Sequence, residues 1–65
     1  MIKRIDIRMY DNGDCTYDVN PIADNRSSIT RLTVPEEELD AVIEDMKRAY
    51  TYNFGDIEFT ETVVE

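Results

Sequence analysis

The chain has 65 residues, of which 42% are hydrophobic, and a net charge of −8. This length allows one small domain, residues 1–65, and the hydrophobic content is too high for a disordered chain. Affinity for nucleic acid and for anionic membranes comes mainly from Lys and Arg. We therefore expect the protein to bind neither of them directly.

The charge is divided unevenly between the two halves of the chain. Residues 1–34 hold five basic and five acidic side chains and are neutral overall. Residues 35–65 hold ten acidic side chains and only two basic ones, Lys47 and Arg48, so they carry the whole −8. This asymmetry favours a basic binding partner for the second half.

The N-terminal residues alternate between apolar and polar side chains. Over residues 3–9 the alternation predicts a half-buried strand whose core face holds Ile5, Ile7 and Met9. The segment has no continuous apolar run. We therefore expect no signal peptide, no membrane span and a cytoplasmic location.

Residues 14–20 repeat the alternation and predict a second strand. Its core face would hold Cys15, Tyr17 and Val19, and Pro21 would end it. Cys15 is interpreted as a small packed hydrophobic residue rather than a nucleophile, because the chain contains no histidine to activate a thiol.

The tripeptide Asp11-Asn12-Gly13 between these strands predicts a hairpin turn. A three-residue loop places Met9 opposite Cys15 and keeps one face wholly apolar, whereas a two-residue loop does not. Gly13 would then take the left-handed conformation at the end of the loop.

A polar loop over residues 20–27 is expected to lead into a third strand over residues 28–34. Leu32 and Val34 would face the core. This strand has no internal proline, so as an edge strand it could pair with a partner strand or with a second copy of the chain.

Apolar side chains recur at helical spacing and predict an amphipathic helix that ends around Tyr50 to Asn53. Pro35 suits the first turn, and Thr33 with Glu36 matches a capping box. The apolar stripe of this helix consists of Leu39, Val42, Ile43, Met46, Ala49 and Tyr50.

After Gly55, a last strand is predicted with Ile57 and Phe59 towards the core, fraying after about residue 60 because Glu61 interrupts the apolar face. The element order is β-β-β-α-β. A right-handed crossover through the helix brings the last strand beside the first and parallel to it. The expected α+β fold is a mostly antiparallel four-stranded sheet in the order 3-2-1-4, with the helix on one face.

Six carboxylates fall within residues 36–45, over about 15 Å of helix. Part of this pattern is ordinary helix electrostatics, because acids favour the first turn and Lys47 and Arg48 the last, and because Glu44 and Arg48 form a favourable i,i+4 pair. The net charge nevertheless exceeds what solubility of a small domain requires. We interpret the excess as a surface for a basic partner.

Two aromatic residues, Tyr52 and Phe54, follow the acidic part of the helix. Exposed aromatic side chains often anchor interfaces, although Phe54 suits a plug over the core edge equally well. The predicted partner-binding residues are Glu36, Glu37, Asp40, Glu44, Asp45, Asp56, Glu58, Tyr52 and Phe54.

Motifs for catalysis and cofactor binding are missing from the sequence. The absence of histidine and the single cysteine argue against a zinc site, and Asp11 to Asp14 lacks the longer alternation of acids that an EF-hand needs. The sequence also has no glycine-rich phosphate loop. We expect a protein that is not an enzyme and that uses neither a metal nor a cofactor.

In size, acidity and compact α+β build, the whole chain resembles phage-encoded anti-defence proteins such as anti-CRISPRs and DNA mimics. The resemblance is one of general character and rests on no motif. It implies an inhibitor that occupies the basic, nucleic-acid-binding surface of a larger protein. The alternative is an interaction or assembly module, such as a homodimer through an edge strand or through the open sheet face with Arg4, Arg8, Tyr10 and Arg31.

Overall fold

The computed structural model describes residues 2–64. Its elements are β1 (Arg4–Asp11), β2 (Thr16–Ala23), β3 (Leu32–Pro35), a 3₁₀ turn (Glu36–Glu38), α1 (Leu39–Phe54) and β4 (Glu58–Val64). The strands form one mixed sheet in the order β3-β2-β1-β4. The β1–β4 pair is parallel and the other two pairs are antiparallel, which confirms the predicted fold and strand order.

The core lies between α1 and one face of the sheet. Ile5, Ile7 and Met9 of β1 are buried, as the alternation predicted, and they pack with Val19 of β2 and Ile43 of α1. Burying a side chain of this size stabilises the fold by about 1.5 to 3 kcal/mol. The central position of β1 therefore makes it the main source of core packing.

The hairpin register differs from the predicted one by four residues. Met9 lies opposite Val19, and Ile7 lies opposite Pro21, whereas the sequence predicted Cys15 opposite Met9. Because four is an even number, the shift keeps Tyr17 and Val19 on the predicted face. The alternation thus identified the faces correctly but not the register.

Cys15 is exposed in the hairpin loop, so its predicted core position is wrong. Its backbone has a φ of 66°, in the left-handed region, which is incompatible with a strand. Gly13 has a φ of 79°, which confirms its predicted left-handed conformation, but the loop continues to Cys15 instead of ending at Gly13 as predicted. The carboxylates of Asp11 and Asp14 fix the loop by accepting hydrogen bonds from the backbone N–H groups of Gly13 (2.8 Å) and Thr16 (3.2 Å).

Pro21 lies within β2 and is buried, so it does not end the strand as predicted. Proline removes a backbone donor and usually interrupts a sheet. The Asp24 N–H donates to the Arg4 carbonyl of β1. Because backbone polar groups point alternately to the two sides of a strand, the nitrogen of Pro21, three residues earlier, points away from β1. The missing N–H therefore costs no β1–β2 hydrogen bond.

The third strand is shorter than predicted because it begins at Leu32. Val34 is buried and Leu32 is half-buried, in line with their predicted core face. The predicted capping box is wrong, since the Thr33 hydroxyl donates to the Asp18 carboxylate at 2.8 Å and Pro35 precedes the 3₁₀ turn without a side-chain cap.

The helix confirms most of the predicted apolar stripe, with Ala49 as the exception because it is exposed. The helix ends at Phe54, one residue beyond the predicted range. Gly55 stops it with a φ of 88°, and its N–H bonds to the Thr51 carbonyl at 2.9 Å. A positive φ at this position suits glycine because it has no Cβ.

Candidate acidic protein-binding surface

The six carboxylates of residues 36–45, called the acidic segment below, are all exposed. The first three form the 3₁₀ turn and the other three lie on α1. The Glu36 N–H donates to the Cys15 carbonyl at 2.9 Å and ties this turn to the hairpin loop. Negative charge near a helix N-terminus is stabilised by the helix dipole, so the fold tolerates this concentration of acids.

Among the described residues, one carboxylate of the acidic segment forms an ion pair. This carboxylate belongs to Asp45, which lies 3.3 Å from Arg48. The predicted pairing of Glu44 with Arg48 is therefore wrong. Lys47, the other cation of α1, contacts Glu61 of β4 at 2.6 Å. The other five carboxylates of the segment have no ion-pair partner among the described residues.

The Lys47–Glu61 contact joins the helix to the edge of the sheet. The sequence predicted fraying near Glu61, but β4 continues to Val64 and Glu61 lies opposite Ile7. The hydrogen bond to Glu61 raises the pKa of Lys47 above its ordinary value, and the field of Glu44 adds to this effect. No local pattern could reveal this pair, because its members are 14 residues apart.

Asp56 and Glu58 do not join the acidic segment, although they were predicted to bind the same partner. Glu58 lies in register with Arg4 on the sheet face opposite the helix, and their charged groups are 3.6 Å apart. Asp56 lies in the connection between α1 and β4, where it borders a shallow hollow with Ile2 and Phe54. The predicted acidic residues thus occupy three separate parts of the surface.

The two predicted aromatic contacts differ in their environment. Tyr52 is 89% exposed and borders an open hollow with Glu44 and Arg48 on the outer face of α1. Phe54 is 39% exposed, and its ring stacks on that of Tyr50 with centroids 6.1 Å apart. Tyr52 therefore extends the outer helix surface, whereas Phe54 partly covers the core edge.

The sheet face opposite the helix, called the open face below, has a balanced charge. Three arginines of this face lie near a carboxylate: Arg4 near Glu58 (3.6 Å), Arg8 near Asp6 (3.2 Å) and Arg31 near Asp18 (3.7 Å). A fourth, Arg26, borders a hollow on the same face and has no ion-pair partner among the described residues. The arginines of the alternative interface are thus already neutralised within the chain.

Hydrogen bonds stabilise the ionised form of two aspartates on the open face. Partial burial would raise the pKa of Asp6, but hydrogen bonds from Thr60, Thr62 and Arg8 outweigh it and lower this pKa. For Asp18, hydrogen bonds from Asn12 and Thr33 lower the pKa. Hydrogen bonds within the fold therefore favour the carboxylate form of both groups.

Comparison with protein-family models, with curated proteins and with solved structures finds no match for this chain. Within residues 2–64, no three histidine, cysteine or acidic side chains come together in a metal-binding arrangement. The one helix of these residues is also too short and too polar to cross a membrane.

Proposed function

We propose that the protein is a non-enzymatic, cytoplasmic inhibitor that uses its acidic segment to occupy the basic, nucleic-acid-binding surface of a larger protein. In this role it would act as a DNA mimic of the kind found among phage anti-defence proteins. The observation that carries the proposal is the contrast in charge pairing. Five carboxylates of the acidic segment have no ion-pair partner among the described residues, whereas Arg4, Arg8 and Arg31 on the open face each lie near a carboxylate.

The physical advantage of such a surface lies in complementarity and in speed of association. Six carboxylates over about 15 Å give one charge per 2.5 Å or so, comparable to the spacing of about 3.4 Å along one DNA strand. A concentrated field of this kind steers a cationic partner into contact and selects against anionic ones. Tyr52, on the outer face of the same helix, offers an aromatic anchor next to it.

Matched charge reversals test whether the acidic segment or the net charge determines binding. The pairs Asp40→Lys/Glu44→Lys and Asp56→Lys/Glu58→Lys both change the net charge from −8 to −4. Wild type and both variants would be immobilised to capture basic proteins from a bacterial lysate, with identification by mass spectrometry at low and high salt. We expect the first variant to lose the captured protein and the second to retain it.

The decisive step uses the captured protein in purified form. Binding should weaken steeply with added salt, and duplex DNA or RNA should compete with the inhibitor for the same surface. Equal loss in both variants would show that net charge alone is responsible. Binding that persists in the presence of saturating nucleic acid would contradict a shared surface.

A further inference from the structure

The last strand, β4, is much more exposed than the other strands of the sheet. Six of its seven residues are exposed, including Val63 (58%) and Val64 (39%). Within the described chain it pairs with β1 alone. One of its long sides is therefore an unpaired edge with apolar side chains on both faces of the sheet, which soluble proteins usually avoid.

The backbone groups of this edge are available for hydrogen bonding. The Glu58 N–H donates to the Lys3 carbonyl at 2.9 Å, so Glu58 directs its backbone polar groups towards β1. Because these directions alternate along a strand, Phe59, Glu61 and Val63 direct theirs to the free side. These three residues present three donors and three acceptors to a partner strand.

The opposite edge, β3, is a poorer candidate for pairing. It has only four residues and ends in Pro35, which lacks a backbone donor. The sequence suggested this strand as the site of strand addition, but the structure places the longer unprotected edge at β4. Strand addition is therefore expected at β4.

We propose that β4 pairs with the β4 strand of a second copy of this chain, in an antiparallel arrangement centred on Glu61. The residues around this centre, Phe59-Thr60-Glu61-Thr62-Val63, read nearly the same in both directions by side-chain type. Phe59 then faces Val63 of the second copy, and Thr60 faces its Thr62. Apolar pairs and threonine pairs of this kind stabilise neighbouring strands.

This register also forms the largest number of new backbone hydrogen bonds. Phe59, Glu61 and Val63 all direct their polar groups outwards, so the three facing pairs exchange about six hydrogen bonds. The two sheets join into one of eight strands. The twofold axis is perpendicular to the sheet, so both α1 helices lie on the same side.

The charges of the two copies are compatible with this contact. Glu61 of one copy faces Glu61 of the other, but each carboxylate carries a Lys47 ammonium at 2.6 Å, so the group of four is neutral. The acidic segment begins directly after β3, at the opposite edge of the sheet. The three carboxylates of the 3₁₀ turn therefore lie away from the joint, whereas Glu44 is near enough to Lys47 to act on its pKa. The dimer does not depend on the proposed inhibitory function.

Substitutions at Val63 test the backbone contact. Val63→Pro and Val63→Ala both remove the valine side chain, but only proline removes the outward N–H, which makes no bond to β1. In sedimentation experiments the wild-type mass should rise from 7.6 kDa towards twice that value with concentration. Val63→Ala should still dimerise, and Val63→Pro should remain monomeric with an unchanged far-ultraviolet dichroism spectrum.

Single cysteines test the register. In a Cys15→Ser background, Glu61→Cys should form an interchain disulfide under mild oxidation, because facing hydrogen-bonded residues have Cα atoms about 5.5 Å apart. Thr62→Cys, which would not face itself in this register, should cross-link much more slowly. The reverse order of rates would overturn the proposed register.

Three further results would overturn the dimer itself. One is a wild-type chain that stays at 7.6 kDa at millimolar concentration. Another is a Val63→Pro variant that dimerises as well as Val63→Ala. The third is a monomer in which a lysine-rich peptide shifts the amide resonances of Phe59, Glu61 and Val63, because β4 would then receive a different strand.

Discussion

At the scale of single residues, Asp6 links β1 to β4 on the open face. Its Oδ1 accepts hydrogen bonds from the hydroxyls of Thr60 (2.9 Å) and Thr62 (3.0 Å), and its Oδ2 accepts one from Arg8 (3.2 Å). Hydrogen bonds to an ionised group are stronger than those between neutral groups. One carboxylate thus holds the first strand against the last.

Replacing Asp6 by Ala should lower the free energy of unfolding at neutral pH by about 1 to 2 kcal/mol, because several hydrogen bonds to a charged group are lost. The folded state lowers the pKa of Asp6, so its contribution is present above the unfolded pKa and lost as the pH falls through the folded pKa. Urea unfolding at pH 7 and at pH 3 measures this difference.

The exposed Glu36, changed to Gln, serves as the control for this experiment and should have little effect. The free energies of unfolding of wild type and the Asp6→Ala variant could differ by as much at pH 3 as at pH 7. That result would contradict a role for the ionised carboxylate.

Sequence patterns predict residue environments well where alternation decides them, as for Ile5 and Ile7. These patterns fail where the backbone conformation or the strand register determines the environment of a residue. Cys15 is apolar enough for the core, but its positive φ places it in the loop. Pro21 resembles a strand terminator, yet it fits within β2 because its nitrogen faces away from β1. Neither fact is visible before the register is known.

At the scale of elements, the ion pair between Lys47 and Glu61 attaches the helix to the exposed strand β4. The two side chains are each partly exposed, and their charged atoms are 2.6 Å apart. Glu61 interrupts the apolar pattern of the strand, and this ion pair explains how β4 accommodates a carboxylate on the side facing the helix.

Replacement of Lys47 by Met should lower the free energy of unfolding at neutral pH. The difference in this free energy between variant and wild type should become smaller in alkaline solution. Because Glu61 raises the pKa of Lys47, the stabilisation is present below the unfolded value, near 10.5, and is lost as the pH rises through the folded value. The denaturant midpoints of wild type and variant, recorded as a function of pH, measure this stabilisation.

Two comparisons make this test specific to the pair. Arg48→Met removes an exposed partner of Asp45 and should have a smaller effect. In a double-mutant cycle, the changes in the free energy of unfolding caused by Lys47→Met and by Glu61→Gln should not be additive. Full additivity would show that the two side chains act independently.

Elements were easier to predict from the sequence than the contacts between them. The helical spacing of Leu39, Ile43 and Tyr50 identifies α1 because that period persists over three turns. Strand limits were harder to predict, since β4 continues beyond Glu61 in a ladder with β1, and a lysine 14 residues away binds that carboxylate. Hairpin register was uncertain for a related reason, because a shift by an even number preserves every face.

At the scale of the whole molecule, the charge of −8 belongs mainly to the helix side and to the chain connections. On the open face, Arg4, Arg8 and Arg31 each lie near a carboxylate. Like charges held close together in a compact state repel one another and lower its stability. The domain therefore maintains its acidic segment at some cost in free energy.

Added sodium chloride should raise the thermal unfolding midpoint of the wild type, because salt screens this repulsion. The Asp40→Lys/Glu44→Lys variant, with a net charge of −4, should respond less steeply. Thermal melts followed by circular dichroism over a salt series measure both slopes. A wild-type midpoint that falls with salt would indicate that the surface ion pairs outweigh the repulsion.

The topology of the sheet followed from the sequence because few arrangements satisfy a right-handed crossover. The candidate site followed only in part. Residues 36–45 are contiguous, so their grouping needed no tertiary information. Glu58 was grouped with them by its charge alone, but it lies on the sheet face opposite the helix, which only the three-dimensional arrangement shows.

The pairing of β1 with β4 has a consequence for how the chain folds. The β1–β2 hairpin joins neighbouring segments and can form early, whereas Asp6 meets Thr60 only after a loop of 54 residues closes. Closing long loops is entropically costly and slows folding. We expect β4 to be the last strand to dock, so the edge of β1 that it covers stays accessible to other chains until folding ends.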